Sequence, residues 1–327
     1  ALLSFYAKDM SSLVELNLQN GNNTNFTIFD ITGNVNLACV QVDDVAYSTT
    51  NWTNVDASVN FSTDCDNPIQ VAAKVYLQGA MLQHTDGFMR TDLKDNNLVP
   101  SINSPYADGI GVSEQVFIAT GQDRIVDWVW VELRDATDPT IIIDGTSALL
   151  QRDGDVVDAS ASDTATPVYF YQAPGDYYVV IKHRNHLGIM SNNALSLSDV
   201  VTTVDFTDGN NQITYGANAQ TTFGMPANTL GMWCGNVNSD MVVQYTGTTP
   251  DTPPILSTIL NDVGNFFNFP TYILNGYNAN DINMDGSTQY TGTTPDTPFI
   301  LQNPLAHPGN FLHFSTYQII EQLPENA

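Results

Sequence analysis

The chain has 327 residues, 42% of them hydrophobic, with 15 Phe, 14 Tyr and 4 Trp. That is enough apolar material for cores in two or three domains and too much for wholesale disorder. Lys and Arg number 9 against 35 Asp and Glu, a formal charge of −26. Such a surface repels phosphate backbones and anionic headgroups, which excludes nucleic acid as a partner and electrostatic binding to membranes.

Cations are the natural partners of this surface, and Asp outnumbers Glu 30 to 5. Asp favours turns and oxygen-ligand metal loops where Glu favours helix faces, so strands, turns and calcium are expected. No run approaches the roughly 18 apolar residues of a membrane helix, so direct membrane insertion is not expected. The start lacks a signal peptide's basic and apolar regions, as in a mature protein or a fragment. Cys39, Cys65 and Cys234 are too few for a disulfide scaffold or a Cys-rich zinc site and divide most simply into one pair and one leftover.

Residues 1–67 read as the end of a short solenoid. An L-x-x-L-x-L type pattern recurs as Leu2, Phe5, Ala7; Leu13, Leu16, Leu18; Phe26, Phe29, Ile31; and Leu37, Val40, Val42, with starts 11, 13 and 11 residues apart. Turn residues such as Asn20-Gly21-Asn22 and Gly33-Asn34 separate the copies, and each strand is too short to bury its face alone. A first copy at Leu2 implies continuation upstream in a parent protein. The stretch from Ala38 to Asp66 closes the coil, with Cys39 and Cys65 expected to be bonded across a loop holding Tyr47 and Trp52.

The run from Gly21 through Asn36-Leu37-Ala38-Cys39-Val40-Gln41-Val42-Asp43, then Tyr47-Ser48-Thr49-Thr50-Asn51-Trp52 and Cys65, resembles the C-terminal end of leucine-rich-repeat regions in secreted proteins of Bacteroidota. The resemblance implies a secreted or cell-surface protein and no particular reaction. An acidic, lysine-poor, Asn- and Thr-rich composition suits the same setting.

Residues 68–226 read as an antiparallel, Ig-like β-sandwich. Val71–Gly79, Gln115–Ala119, Ile125–Leu133, Ile141–Ile143 and Tyr177–His183 are rich in β-branched and aromatic residues, with Gly, Pro, Asn and Asp between them. Alternation along Val126, Trp128 and Trp130 places both tryptophans on one strand face, as core or as a sugar-stacking platform. The phrases from Ala148 to Val157 and from Ala173 to Gly188 resemble the same secreted group.

Residues 227–327 carry a tandem repeat. Gln244 to Pro253 recurs letter for letter as Gln289 to Pro298, shifted by 45 residues. Ahead of each copy lies a candidate calcium loop. In the second, Asp281, Asn283 and Asp285 supply alternate oxygens, Gly286 permits the sharp turn, and Ser287 offers a carbonyl. In the first, Asn236, Asn238, Asp240 and the Val242 carbonyl take the same places, with Met241 where glycine is expected, which predicts weaker binding. Position 12, the bidentate acid of an EF-hand, is Gly247 or Gly292, so the late ligand passes to Asp251 or Asp296. Those two acids could equally cap helices beginning at Pro253 and Pro298, the first with Ile255, Leu256, Ile259 and Leu260 on its inner face. The pair resembles a dockerin-like tandem in a lengthened form found at the C-termini of Bacteroidota surface proteins, and the closing Glu321-Gln322-Leu323-Pro324 matches as well. Cohesin binding does not carry over, because the insertion alters the helices that would present it.

Catalytic motifs are absent: the chain holds no G-x-S-x-G, H-E-x-x-H, P-loop or C-x-x-C. His183 and His186, three apart on a strand, are expected on opposite faces, and Asp153 and Asp155 flank Gly154 as in a solvated hairpin turn. The expectation is a mainly β, non-enzymatic extracellular module, structural or adhesive, with calcium as cofactor in a surface or filament-forming protein. Self-association or a glycan or protein ligand would supply its partners. A carbohydrate-binding adhesin using Trp52, Trp128 or Trp130 is the alternative, and a glycosidase-like enzyme the second. Sequons stand at Asn22, Asn25, Asn51 and Asn60, and Asp163-Thr164-Ala165 resembles the O-glycosylation site of Bacteroidota.

Overall fold

The computed structural model describes residues 3–82, 87–96, 102–159 and 165–326; it is mainly β, with 29% strand and 16% helix. Leu2, and Asp163 and Thr164 of the O-glycosylation match, lie outside the described residues.

The first strands are β1 (Ser4–Tyr6), β2 (Leu16–Asn17), β3 (Ile28–Asp30) and β4 (Cys39–Gln41), then helix α1 (Val45–Asn51) and β5 (Asn60–Ser62). All pair in parallel, β1 with β3 and β2 with β4 and then β5. Ser4 lies opposite Ile28 and Leu16 opposite Val40, so one turn of the chain takes 28 − 4 = 24 residues and contains two strands. The spacings of 11 and 13 in the sequence are therefore half-turns, and alternate strands pair.

Asparagines hold the turns. Asn34, wholly buried, donates through Nδ2 to the Ala7 and Ile31 carbonyls at 2.6 and 2.5 Å, pairing groups that no strand reaches. Trp52 packs inside this core, stacked on Phe29 with ring centroids 4.1 Å apart. Cys39 and Cys65 are disulfide-bonded, and Cys234 is free and buried. The bridge spans 26 residues, a closure worth about 3 kcal/mol in chain entropy. A Cys39→Ser/Cys65→Ser chain is expected to lose protection from hydrogen exchange across residues 28–62 by about that amount, with the strands after residue 120 unaffected.

The middle region starts with β6 (Ile69–Lys74) and the single-turn helices α2 (Gln78–Met81) and α3 (Asp92–Asp95). It continues through β7 (Ile125–Asp135), β8 (Ile142–Gln151), β9 (Val156–Asp158), β10 (Val168–Phe170), β11 (Gly175–His183), β12 (His186–Met190), β13 (Leu195–Leu197) and β14 (Thr202–Asp205). Six strands form one antiparallel sheet in the order β12-β11-β7-β8-β9, with β13 also on β11. A three-stranded sheet, β10-β6-β14, contributes to the same apolar core: Ile69, Val71 and Ala73 alternate inward from β6 to meet Val129, Val131 and Leu133 of β7.

Four expectations change here. The pair β6–β14 is parallel, so the region is not wholly antiparallel. Gln115–Ala119 is not a strand: Glu114–Ile118 forms a 3-10 turn opened by the Ser113 side chain, and Val116 covers the outer face of the large sheet beside Trp128. The strand expected to reach Gly79 stops at Lys74, and Gly79 lies in α2. A bulge between Ile125 and Asp127 turns Val126 to the inner core with Val129, while Trp128 joins Ile125 on the other face. Trp128 is wholly buried there, and Trp130 is half-buried over Gly145.

β15 (Gln220–Thr221) ends the middle region, and the C-terminal region comprises β16 (Gly231–Met232), β17 (Val242–Val243), α4 (Thr252–Asn261), β18 (Leu274–Asn275), β19 (Ser287–Thr288), α5 (Thr297–Ala306) and β20 (Ile319–Ile320). β17, at the end of the first loop, pairs with β20, which closes the second repeat; β19, at the end of the second loop, pairs with β18, which closes the first. Each repeat thus completes the other. Both share a core of Val237, Val243, Ile255, Ile259, Ile282 and Ile300, which takes in Leu82 and Leu187 from the middle region. The tail docks as well: Leu323 is buried with Val180 and Met190, and Arg134 donates to both Glu325 oxygens at 2.6 and 2.9 Å.

Candidate metal centres in the C-terminal repeat

The two loops repeat their hydrogen bonds as well as their letters. In the second, the Asp285 amide lies 3.1 Å from Asp281 Oδ1 and 3.0 Å from Asn283 Oδ1, so those oxygens share one small volume. The Asn283 amide group reaches Asp285 Oδ2 at 3.1 Å, which brings in the third side chain. In the first loop the Asp240 amide sits 3.2 Å from Asn236 Oδ1 and 3.1 Å from Asn238 Oδ1, and Asn238 reaches Asp240 Oδ2 at 2.9 Å. Positions 1, 3 and 5 therefore converge in both. Val242 and Ser287 begin the short strands β17 and β19.

Asp251 and Asp296 stand at the N-cap position of α4 and α5, yet their side chains cap neither helix. They turn back into the loops. Asp296 accepts from the Ile282 amide through Oδ1 at 2.8 Å and from Gln289 through Oδ2 at 2.8 Å; Asp251 accepts from Val237 at 3.0 Å and Gln244 at 2.9 Å. Each carboxylate staples the two ends of its loop together, with lone pairs left for a cation. Ile255 and Ile259 are the buried face of α4, while Leu256 and Leu260 are half-buried beside them.

Burial and mutual repulsion set the electrostatics. Burial pushes Asp281 up to about 7; the neighbouring Arg184 opposes this, and Asp285 adds to it. Asp296 is driven well above the carboxylate range, first by burial and then by Asp281. Asp285 is raised by burial, with Arg90 acting against it. In the first loop, burial raises Asp251 to about 7, and Asp240 contributes. Carboxylates crowded out of water in this way are stabilised by a hard divalent cation, which accepts oxygen ligands and requires the ionised form.

The donor set is oxygen throughout, as calcium needs. Among the described residues no group of three His, Cys, Asp or Glu side chains is placed to hold a metal by itself. A calcium ion here would rely on the Asn oxygens and main-chain carbonyls beside the carboxylates. Asn280 Oδ1, next to the second loop, is buried without a donor.

Other candidates fall elsewhere. His183 and His186 do not face apart: β11 and β12 turn over at Arg184 and Asn185, so the two histidines sit opposite one another with Nδ1 atoms 2.9 Å apart. A two-residue turn makes positions i and i+3 cross-strand partners, which the spacing alone does not reveal. Asp155 pairs with Lys74 at 3.1 Å. The free-standing rings are not the tryptophans; Phe266, Phe267, Phe269, Phe311 and Phe314 are all more than half exposed. They stand on two loops that Asn265 and Asn310 hold by the same three bonds, a signal present in the repeat as Gly-Asn-Phe at 264 and 309.

No protein-family model, curated protein or solved structure matches the chain.

Two outcomes are expected. Asp251 and Asp281 titrate near 7 instead of near 3.8, so between about pH 4 and 7 each holds a proton in the metal-free folded chain that it releases on unfolding, whereas the buried His183, His186 and His307, held below their ordinary range, act in the opposite sense. Asp281→Asn removes the Asp281 contribution, so in chelator its melting temperature relative to wild type should rise as pH rises through that window and level off above it. Met241 holds φ +66° where Gly286 holds φ +87°. A side chain is strained in that conformation, so Met241→Gly should stabilise the chain by up to about 1 kcal/mol in chemical denaturation.

Proposed function

We propose that the chain is a non-enzymatic extracellular module, structural or adhesive, of a cell-surface or filament-forming protein, with calcium bound in its C-terminal repeats. On this reading residues 1–67 are the end of a leucine-rich-repeat-like solenoid, 68–226 an Ig-like sandwich, and 227–327 a dockerin-like pair. The support for calcium is the convergence, in each loop, of the side-chain oxygens at positions 1 and 3 on the position-5 amide, with the position-3 side chain on the position-5 carboxylate and a buried carboxylate closing the loop. The support for a stiff scaffold is the shared packing: each repeat completes the other, and both bury apolar side chains against the middle region.

The adhesive side of this reading rests on different rings from those first expected. Trp52 and Trp128 are sealed in cores and can stack on nothing outside, whereas the phenylalanines at 266, 267, 269, 311 and 314 are open to solvent. A sugar or protein ligand would meet these first.

Calcium binds the folded state, so at a concentration 100 times its Kd it adds about 2.7 kcal/mol of stability. Scanning calorimetry is expected to show a melting temperature that rises with calcium, falls back with chelator and rises less in Asp281→Asn. A transition that chelation leaves unmoved, with no calcium found by elemental analysis, would remove the metal from the reading.

A further inference from the structure

Where the N-terminal coil meets the middle region, the chain encloses a cavity of about 490 Å³. Sites that hold a small organic ligand span about 300–1,000 Å³ and favour the junction of two units. Strand register sets the chemistry of this one. Ala148, Thr146 and Asp144 of β8 stand opposite Val129, Val131 and Leu133 of β7, so they share the inner face of the large sheet. That row turns polar as it leaves the core, and its last member, Asp144, reaches the cavity. There it accepts from Gln172 Nε2 at 3.0 Å and from the Gly145 amide at 2.8 Å. Val55, Asn60 and Phe61 of the coil form the facing wall, and Ile143 adds a further apolar side chain.

Elsewhere in this sheet the fold supplies the countercharge of its carboxylates: Asp127 has Arg184 at 3.1 Å and Glu132 has Arg134 at 2.8 Å. Asp144 has none. Its partners among the described residues are neutral, and no Lys, Arg or His lines the cavity. Burial raises its carboxyl, against the bonds from Gln172 and Gly145, with no cation taking part. A carboxylate withdrawn from water calls for a countercharge, and here the open space beside it is where one can enter. One acid is too few for calcium, which takes 6–8 oxygen ligands, and the apolar walls suit a hydrocarbon.

We propose that this cavity binds a small organic cation, a primary alkylammonium whose head meets Asp144 and whose hydrocarbon body lies along Val55, Phe61 and Ile143. The ammonium donates to the Asp144 carboxylate, and the Asn60 and Gln172 side-chain oxygens stand by as further acceptors. A chain of net charge −26 concentrates such cations at its surface, and the cavity selects those with an apolar body. The site is separate from the calcium loops and stands or falls without them.

The test is a saturation-transfer NMR titration of the full chain at about pH 8, where both the carboxylate and the amine are charged. The probes are n-hexylamine and its neutral counterpart 1-hexanol. Wild type is expected to bind the amine about tenfold more tightly than the alcohol, the contribution of one charged hydrogen bond. Asp144→Asn, which keeps an acceptor for Gln172 and Gly145, should bring the amine down to the level of the alcohol and leave the alcohol unmoved. Thr53→Trp, at an exposed lining position, should weaken both. Should Asp144→Asn fail to fold, the comparison of probes in wild type and Thr53→Trp decides alone. Equal binding of the two probes by wild type, or binding of neither, would overturn the inference. Amine binding that survives in Asp144→Asn would belong to the acidic surface at large and overturn it too. Calcium displacing the amine from wild type, with Asp144→Asn blind to both, would give the carboxylate to a metal and equally overturn it.

Discussion

Negative charge withdrawn from water is the constraint on which the C-terminal half of this molecule turns. Asp251, Asp281 and Asp296 are wholly buried in a chain of net charge −26. Backbone amides hold these carboxylates, at both ends of the loop for Asp251 and Asp296, yet burial and repulsion still raise them far above their ordinary range. A buried charge must be neutralised by a proton, a guanidinium or a metal. Two of these routes are open here: protons below about pH 7, and calcium from outside on the proposed function.

Pairing between the repeats makes that electrostatic problem common to the whole region. Because β17 meets β20 and β19 meets β18, neither loop can rearrange without disturbing the strand that closes the other repeat. The second loop is also pressed against the middle region. A Cβ on Gly79 would stand 2.1 Å from the Ile282 carbonyl, and the Gly79 amide donates to His186 Nε2 at 3.1 Å. Only glycine allows this approach. The polar cluster of Asp127, His183, His186 and Arg184 thus lies directly behind the loop.

The N-terminal coil obeys a different constraint. Strands of two or three residues cannot hold a register by ladder bonds alone, so buried asparagines take up the turn carbonyls and a stack of Phe26, Phe29, Trp52 and Phe61 fills the interior. Trp52 serves this core, which accounts for its absence from the surface.

The amino-acid sequence by itself determined what depends on composition and exact repetition: the β-rich class, the charge, the 45-residue duplication, and the oxygen-bearing residues of both loops. The strand β6 was legible in part, from β-branched residues beginning at Val71, although its end at Lys74 was not. Tertiary structure decided whatever depends on chain reversal or on neighbours distant in sequence. A bulge at Ile125–Asp127 moved Val126 away from Trp128, and a two-residue turn brought His183 against His186. Side-chain direction turned Asp251 and Asp296 into loop staples instead of helix caps. Arg184 opposes the rise of the Asp281 carboxyl from 281 − 184 = 97 residues earlier in the chain. No spacing rule reaches that far, because an electrostatic field acts through space and the sequence records only order along the chain.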